Sequence, residues 1–211
     1  MDDTLYDELT YVKSGFKAVA AWGQQELGWD AAEQFERMTS LLQQEGRGAI
    51  FDTLLPTRKL VAIAVKVYRH HAPDITLWPE AQGLLTQLAP TGLFLVTDGH
   101  KIAQARKVEA LGLRRWFQHC YLTSRYGRTA TKPSLTCFEL IRGRTNCAWS
   151  DLTYVGDNPA KDFVRLNEVG ACTIRVLSGQ HRDTVAAPGF DARYTIKSLH
   201  DLQPLLDELS A

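Results

Sequence analysis

The most informative segment of this chain is Thr153-Tyr-Val-Gly-Asp-Asn-Pro-Ala-Lys-Asp162, an apolar run that breaks at Gly156 and carries two aspartates five residues apart. We predict a β-strand that ends in an acidic loop, with Asn158 capping the following helix and Pro159 in its first turn. Open α/β sheets bind ligands beyond the carboxyl ends of their strands. Two carboxylates there suit Mg²⁺, which keeps water and substrate phosphate as its other ligands. An ordinary strand, turn and helix with capping acids is the alternative.

Three other segments complete an ordered set of motifs. They are Met1-Asp-Asp-Thr-Leu-Tyr-Asp7, Leu95-Val-Thr-Asp-Gly99 and Thr131-Lys-Pro133. Together with Val155-Gly-Asp157 and Asp162, they resemble the four signature motifs of the haloacid-dehalogenase-like (HAD) superfamily of phosphohydrolases. The resemblance covers nearly the whole chain. It implies an α/β fold with a Rossmann-like core of parallel strands and an inserted α-helical cap.

Composition and charge are those of a globular protein. The 211 residues are 45% hydrophobic, which is enough for one buried core and a small second domain. A formal net charge of zero gives no sign of nucleic acid or an anionic membrane as a partner. No apolar run approaches the roughly 20 residues that span a bilayer, and the polar amino terminus does not resemble a signal peptide. We expect a cytoplasmic protein.

The residues between the first two motifs have a helical pattern. Apolar side chains recur at steps of three and four through residues 9–27, and Gly28 ends this helix. A second periodic run stops near Gly46-Arg-Gly48, and a third follows Pro56. The HAD family inserts its cap at this place, where the cap closes over the site and selects the substrate.

The resemblance therefore divides the chain into two parts. We predict that residues 1–8 and 73–211 form the core and that residues 9–72 form the cap, although the same helices are compatible with a single common core. Three basic side chains of the cap are within reach of a substrate, but we interpret them as solvated surface charges: Arg47, Arg58 and Lys59.

From residue 75 onward, helical and strand patterns alternate, as in an α/β core. Pro79 is predicted to begin a helix, and Gly112 to end the next one. We predict strands at residues 93–96, 120–122, 153–156, 172–176 and 194–196, and further helices at residues 101–111, 134–142, 163–169 and 199–209.

The first motif lacks the residue that carries the chemistry of the family. HAD phosphohydrolases have Asp-x-Asp-x-Thr at the end of an apolar strand, where the first Asp is the nucleophile and the second is the general acid/base. Aligning Thr4 with the threonine of the motif makes Asp2 the acid/base and places the nucleophile one residue before Met1. The first core strand is then missing too, because nothing apolar precedes the motif. We expect the upstream reading frame to encode an apolar strand that ends in Asp.

A second register of the same motif remains open. It makes Asp2 the nucleophile and puts Tyr6 at the place of the threonine, which leaves no acid/base carboxylate. In both registers a central strand is missing, and its absence exposes unpaired backbone and core on both sides. The chain as printed is expected to be a poor phosphatase, because loss of a nucleophile costs several orders of magnitude in rate.

The resemblance implies a phosphate site at the second and third motifs. The Thr97 hydroxyl and the backbone N–H groups of Asp98 and Gly99 would bind the phosphoryl oxygens, as such groups do at a strand–helix junction. Lys132 would offset the charge of the carboxylates and of the incoming dianion.

The resemblance also implies a magnesium site. Mg²⁺ would be held by the nucleophile, the Asp2 backbone carbonyl and Asp157, with Asp162 supporting it directly or through water. Asp2 would protonate the leaving oxygen and later deprotonate water. The predicted function is Mg²⁺-dependent hydrolysis of a small phosphorylated metabolite through an aspartyl-phosphate.

Three other functions are compatible with the sequence. A non-catalytic relative would bind a phosphorylated ligand or a protein partner. A phospho-receiver domain needs a strand-ending Asp between the acidic pair and the threonine, and no residue of this chain fills that role. A true dehalogenase is disfavoured because the Asp-Asp-Thr pattern is typical of enzymes that act on phosphate esters. The substrate and the oligomeric state are left open by the sequence.

Overall fold

The computed structural model describes residues 1–210, in which helices alternate with short parallel strands. The α-helices are α1 (Glu8–Leu27), α2 (Ala31–Glu45), α3 (Ile50–Leu54), α4 (Arg58–His70), α5 (Pro79–Leu88), α6 (Lys101–Ala110), α7 (Thr136–Thr145), α8 (Val164–Glu168) and α9 (Leu202–Ser210). The strands are β1 (Leu93–Thr97), β2 (Phe117–Leu122), β3 (Thr153–Gly156), β4 (Cys172–Val176) and β5 (Tyr194–Ile196). The predicted α/β fold with parallel strands is confirmed.

Helix α1 begins and ends where the local chemistry requires. The Asp7 carboxylate accepts a hydrogen bond from the Leu9 N–H at 2.8 Å, which caps the amino end. Gly28 adopts a φ of 69°, a left-handed conformation that glycine takes without steric cost, and it ends the helix. The Thr57 hydroxyl caps α4 in the same manner as Asp7 caps α1. Helices α1, α2 and α4 were predicted; the short helix α3 was not.

Helices α1–α4 enclose a hydrophobic cluster of their own. Its buried members are Val12, Phe16, Val19, Ala20, Met38, Ile50, Leu55 and Ala64. The Tyr68 ring packs against this cluster and also against the cluster under the sheets. A separate cluster is compatible with the predicted cap of residues 9–72, and this division stays a prediction. Tyr11 and Tyr68, which both lie within that range, pack against the cluster under the sheets. No helix within residues 1–210 has both the length and the apolar character to cross a membrane.

The strands form two small parallel sheets. Strand β1 pairs with β2, and β4 lies between β3 and β5. Within residues 1–210 no strand lies between β1 and β3, and the first motif forms turns with one isolated bridge from Asp2 to Tyr6. The absence of a strand at the first motif agrees with the sequence analysis.

The gap between β1 and β3 is an apolar slot. Cavities of about 140 Å³ and about 460 Å³ adjoin it, and both are lined by residues of the two strands: Leu93, Phe94, Val96, Thr153, Tyr154 and Val155. Met1, Thr4 and Leu5 line the smaller cavity. Strands β1 and β3 therefore border an apolar space next to the first motif.

The prediction that Asn158 caps a helix was wrong. Helix α8 begins at Val164, and the intervening residues form turns. The Asn158 side chain accepts a hydrogen bond from the Ala160 N–H at 3.0 Å, while its backbone carbonyl accepts one from the Asp162 N–H at 3.0 Å. These bonds close a compact turn, so Asp162 lies in the acidic loop and not on a helix.

Gly15 gives a test of how cap and core meet. A Cβ atom at Gly15 would lie 2.3 Å from the Tyr68 ring, whereas one at Gly83 in α5 would meet nothing within 4 Å. We expect Gly15→Ala to lower the free energy of unfolding by about 1–3 kcal/mol, because Tyr68 must move out of its packed position. Gly83→Ala is the control and should raise the free energy of unfolding by about 0.5–1 kcal/mol. Urea denaturation measures both, and a stabilising Gly15→Ala would contradict the packing described here.

Candidate active site

One pocket of about 270 Å³ contains every site residue that the sequence suggested. It lies at the carboxyl ends of β1 and β3, as expected for parallel strands. Its lining includes Asp2, Thr97, Asp98, Gly99, Lys132, Asp157 and Asp162. The structure thus brings the four motifs together, while the role of each residue stays a prediction.

Thr4 joins the first motif to the acidic loop. Its hydroxyl oxygen lies 3.0 Å from Asp157 Oδ1 and 3.3 Å from the backbone carbonyl oxygen of Asp2, with one proton to donate between them. Thr4 and Asp157 are both buried. Burial, and then the neighbouring Asp162 carboxylate, raise the pKa of Asp157 above its ordinary value. Two oxygen atoms that suit a hard cation are therefore gathered around one hydroxyl group.

Asp3 anchors the first motif to the loop that follows β4. One carboxylate oxygen of Asp3 accepts a hydrogen bond from the Glu8 N–H at 2.9 Å, and the other accepts one from the Gln180 N–H at 3.1 Å. The Ser178 hydroxyl donates to the Asp3 carbonyl. Gly179 is required at this contact, since a Cβ atom there would lie 2.0 Å from the Asp3 side chain. These bonds hold in place a motif that has no strand of its own.

Lys132 and Asp162 form a buried ion pair. Lys132 Nζ lies 2.6 Å from Asp162 Oδ1 and 2.9 Å from the Tyr154 hydroxyl oxygen. Burial alone would lower the pKa of Lys132, but the attraction of Asp162 outweighs burial and raises it well above its ordinary value. Burial alone would raise the pKa of Asp162, and Lys132 lowers it. Both groups are therefore charged at neutral pH.

Asp98 and Gly99 form the turn that follows β1. Asp98 Oδ1 accepts hydrogen bonds from the Thr123 hydroxyl at 2.8 Å and from the Lys132 backbone N–H at 3.1 Å. Gly99 has a φ of 128°, and a Cβ atom there would lie 2.6 Å from the Gln104 side chain. Hydrogen bonds of Asp98 thus connect the second motif to the third. The turn has glycine at position 99, where a larger side chain would collide with Gln104.

Asp2 is held as an anion. Its Oδ1 accepts hydrogen bonds from the Tyr6 hydroxyl at 2.6 Å and from Lys107 Nζ at 2.8 Å, and its Oδ2 accepts one from Gln104 at 2.9 Å. Burial alone would raise the pKa of Asp2, but the charge of Lys107 and these hydrogen bonds outweigh burial and lower it to about 2. The Asp2 carboxylate is therefore ionised at neutral pH.

The predicted metal residues are only partly arranged as a cation site. Within residues 1–210 no cluster of three or more His, Cys, Asp and Glu side chains is placed to hold a metal ion. The Asp2 carboxylate faces Lys107, and Asp162 is shared between Lys132 and the Asn158 N–H. Asp157 and the Asp2 carbonyl remain, and two protein oxygens fit an ion such as Mg²⁺ that keeps several waters.

Sequence reasoning missed two residues that bond to Asp2: Gln104, which also lines the pocket, and Lys107. Lys107 and Gln104 are buried polar residues of α6 and lie three positions apart, which puts them on one face of the helix. In the structure, both polar side chains are buried on one face of α6. No motif in the sequence marks that burial, so the sequence alone did not identify these two residues. Arg47 was interpreted as a solvated surface charge; it is exposed, and it also lines the pocket and pairs with Glu8 at 2.5 Å.

Sequence comparison identifies relatives along most of the chain. The family model described as haloacid dehalogenase-like hydrolase matches residues 1–170. A protein of Methanocaldococcus jannaschii named glyceraldehyde 3-phosphate phosphatase is 28% identical over 223 aligned positions, which cover 99% of this chain and 95% of the relative.

Solved structures with the same fold include several hydrolases of this kind. A 2-haloacid dehalogenase from Pseudomonas syringae pv. Tomato DC3000 superposes with a TM-score of 0.66 at 20% identity, over 99% of this chain and 96% of that chain. The HAD-hydrolase YfnB from Bacillus subtilis, in a structure bound to magnesium, gives a TM-score of 0.67 at 18% identity, over 98% of this chain and 95% of that chain. At these identities the likeness establishes the fold alone.

A pair of substitutions tests the ion pair at Lys132. We expect Lys132→Met to lower the free energy of unfolding by about 3–5 kcal/mol, because the Asp162 charge stays buried without its partner. Adding Asp162→Asn should restore at least about 1 kcal/mol of that loss. Arg165→Met, in an exposed pair with Glu168, is the control and should change the free energy by no more than about 1 kcal/mol. A double variant less stable than Lys132→Met would show that the pair does not stabilise the fold.

Proposed function

The chain belongs to the haloacid dehalogenase-like hydrolases, and we propose that it is a phosphatase that hydrolyses a small phosphorylated metabolite through an aspartyl-phosphate with the aid of Mg²⁺. The observation that carries this proposal is the convergence of four motifs in one pocket of about 270 Å³. A volume of that size suits a small metabolite. The name of the Methanocaldococcus jannaschii relative supports a phosphate ester as the substrate.

The phosphoryl group would sit against the turn after β1. The Thr97 hydroxyl and the N–H groups of Asp98 and Gly99 are proposed to bind its oxygens, which places an anion at a strand–helix junction without a buried countercharge. Lys132 would add one positive charge on the other side of the group. Its ion pair with Asp162 supports this role, since the pair fixes the ammonium group inside the pocket.

Mg²⁺ would bind at Asp157 and the Asp2 carbonyl, which Thr4 holds close to each other. When bound, the ion offsets charge on the phosphoryl oxygens. The raised pKa of Asp157 supports this assignment, because a buried carboxylate beside another carboxylate is stabilised by a cation. Asp162 would support the metal site indirectly. Its carboxylate accepts a hydrogen bond from the Asn158 N–H at 3.0 Å and so fixes the acidic loop that carries Asp157.

The nucleophile is proposed to be an aspartate one residue before Met1. Two features support this register: Asp2 and Thr4 fit the acid/base and threonine positions of the motif, and an apolar slot lined by both strands lies between β1 and β3. The incoming strand would end beside Met1, at the pocket. Asp2 would then protonate the leaving oxygen after release from Lys107, and later take a proton from water.

Phosphate release from p-nitrophenyl phosphate tests this proposal. We compare the chain that begins at Met1 with a chain that carries the residues encoded upstream, each with and without Mg²⁺. Activity that depends on Mg²⁺ and occurs only in the longer chain is expected, and changing the upstream Asp to Asn should remove it by several orders of magnitude.

The other outcomes contradict particular parts of the proposal. Equal activity in both chains would mean that Asp2 is the nucleophile, as in the second register. Inactivity of both chains would favour a relative that binds a phosphorylated ligand without hydrolysing it, a function that the close pairing of Asp2 with Lys107 also suits.

The metal assignment has a separate test that does not need turnover. Mg²⁺ should raise the melting temperature of the protein, because it binds the folded chain and not the unfolded one. Asp157→Asn should weaken Mg²⁺ binding about tenfold or more, measured by the Mg²⁺ concentration that produces half of the thermal shift. Asp183→Asn, at an exposed position outside the pocket, is the control. An unchanged half-point in Asp157→Asn would contradict the assignment.

A further inference from the structure

Arg47 is the basic residue through which the cap reaches the pocket. It lies between Gly46 and Gly48 in the loop that joins α2 to α3, and its side chain is 42% exposed. The same side chain lines the pocket formed by the four motifs. Its position opposite the core motifs is what a group that contacts the leaving part of a substrate requires.

A row of alternating charges connects Arg47 to the first motif. Arg47 Nη1 lies 2.5 Å from Glu8 Oε2, and Glu8 Oε1 lies 3.3 Å from Lys107 Nζ. Lys107 Nζ lies in turn 2.8 Å from Asp2 Oδ1. The exposed fraction of the side chain is 42% at Arg47, 15% at Glu8 and 3% at Lys107, so Lys107 is the buried member of the row. The buried end is fixed, and the Arg47 end faces the open pocket.

Glu8 does not depend on Arg47 for its countercharge. Lys107 remains beside Glu8 when Arg47 turns toward a ligand, so the carboxylate keeps a partner. The Glu8 backbone N–H also donates to Asp3, which holds the first turn of α1 in place. A guanidinium group has five N–H donors, and the contact with Glu8 uses only part of that capacity. Arg47 is therefore free to donate to a second group.

We propose that Arg47 and Glu8 form the subsite for the leaving group, and that they select a short, uncharged leaving group that carries hydroxyl or carbonyl oxygens. This inference rests on the proposed phosphatase function. Arg47 would donate to an oxygen of the leaving group, and Glu8 would accept from a hydroxyl. An aryl or alkyl group would leave both side chains without these bonds. A carboxylate on the leaving group would be attracted by Arg47 but repelled by Glu8, so the pair as a whole does not favour a charged leaving group.

A second cavity makes the proposed selection of the leaving group testable. It has a volume of about 310 Å³, lies inside the cap and shares Arg47 with the main pocket. Its walls are mostly apolar and include Val12, Phe16, Phe51 and Tyr68. Arg47 and its pair with Glu8 stand between the two spaces, so an apolar leaving group would need Arg47 to move aside before it could enter the cap.

Ligand binding measured by titration calorimetry in Mg²⁺ tests the subsite without requiring turnover. The probes are inorganic phosphate, glycerol 3-phosphate and phenyl phosphate, and the proteins are the unchanged chain, Arg47→Ala, Arg47→Lys and Arg58→Ala. Arg58 is an exposed cap residue that lines none of the pockets described here and serves as the matched control.

We expect the unchanged chain to bind glycerol 3-phosphate more tightly than phenyl phosphate. Arg47→Ala should weaken the binding of glycerol 3-phosphate about tenfold, which is the loss typical of one good hydrogen bond. The same substitution should change the affinity for inorganic phosphate by no more than about twofold. Arg47→Lys should restore part of the loss, and Arg58→Ala should change neither ligand.

Three results would overturn the subsite. Equal weakening of inorganic phosphate and glycerol 3-phosphate in Arg47→Ala would place Arg47 in the phosphoryl site. Unchanged affinity for both ligands would remove Arg47 from binding, and tighter binding of phenyl phosphate by the unchanged chain would place the leaving group in the cap cavity. If inorganic phosphate itself fails to bind, the phosphoryl site proposed at Thr97, Gly99 and Lys132 and the subsite beside it are both contradicted, whereas the p-nitrophenyl phosphate assay on the longer chain decides the phosphatase function separately.

Discussion

The hydrogen bond between the Thr4 hydroxyl and the Asp157 carboxylate joins two motifs that are 153 residues apart in the chain. The first motif depends on this bond because it forms no strand in the structure. Asp3 attaches the motif to the first turn of α1 and to the loop after β4, and Asp2 attaches it to α6. Backbone hydrogen bonds between strands hold β1 and β3 in their sheets, whereas side-chain hydrogen bonds hold the first motif in place. The place of Asp2, and of every group that contacts it, follows from them.

Charge balance is the second constraint on the site. The pocket is rich in carboxylates, and most of them have a basic side chain close by: Asp2 with Lys107, Glu8 with Arg47, Asp98 with Lys161 and Asp162 with Lys132. Two carboxylates have no such partner within residues 1–210: Asp3 accepts from two backbone N–H groups, whereas Asp157 accepts from one hydroxyl group. A buried carboxylate in that position has a raised pKa and is stabilised by a cation. This pattern is the physical basis for placing Mg²⁺ at Asp157.

The sequence predicted the parts of the site that lie at strand ends. Parallel strands bring their carboxyl ends to one edge, so Thr97 and Asp157 had to be neighbours once β1 and β3 were recognised. The turn at Asn158 was mispredicted because a local preference for capping was overridden by the Asp162 bond across the loop. Lys107 was missed, and Arg47 was interpreted as a surface charge, because their partners lie about 100 and 40 positions away in the chain. Such contacts leave no mark in a local pattern.

The central claim is that a strand ending in aspartate fills the slot between β1 and β3 and completes the site. A crystal structure of the chain carrying its upstream-encoded residues tests this claim most directly. The account predicts a strand that is hydrogen-bonded to both β1 and β3, joins the two sheets into one, and brings an Asp carboxylate into the pocket beside Asp157 and Lys132. A slot that stays empty, or that closes by direct pairing of β1 with β3, would contradict it.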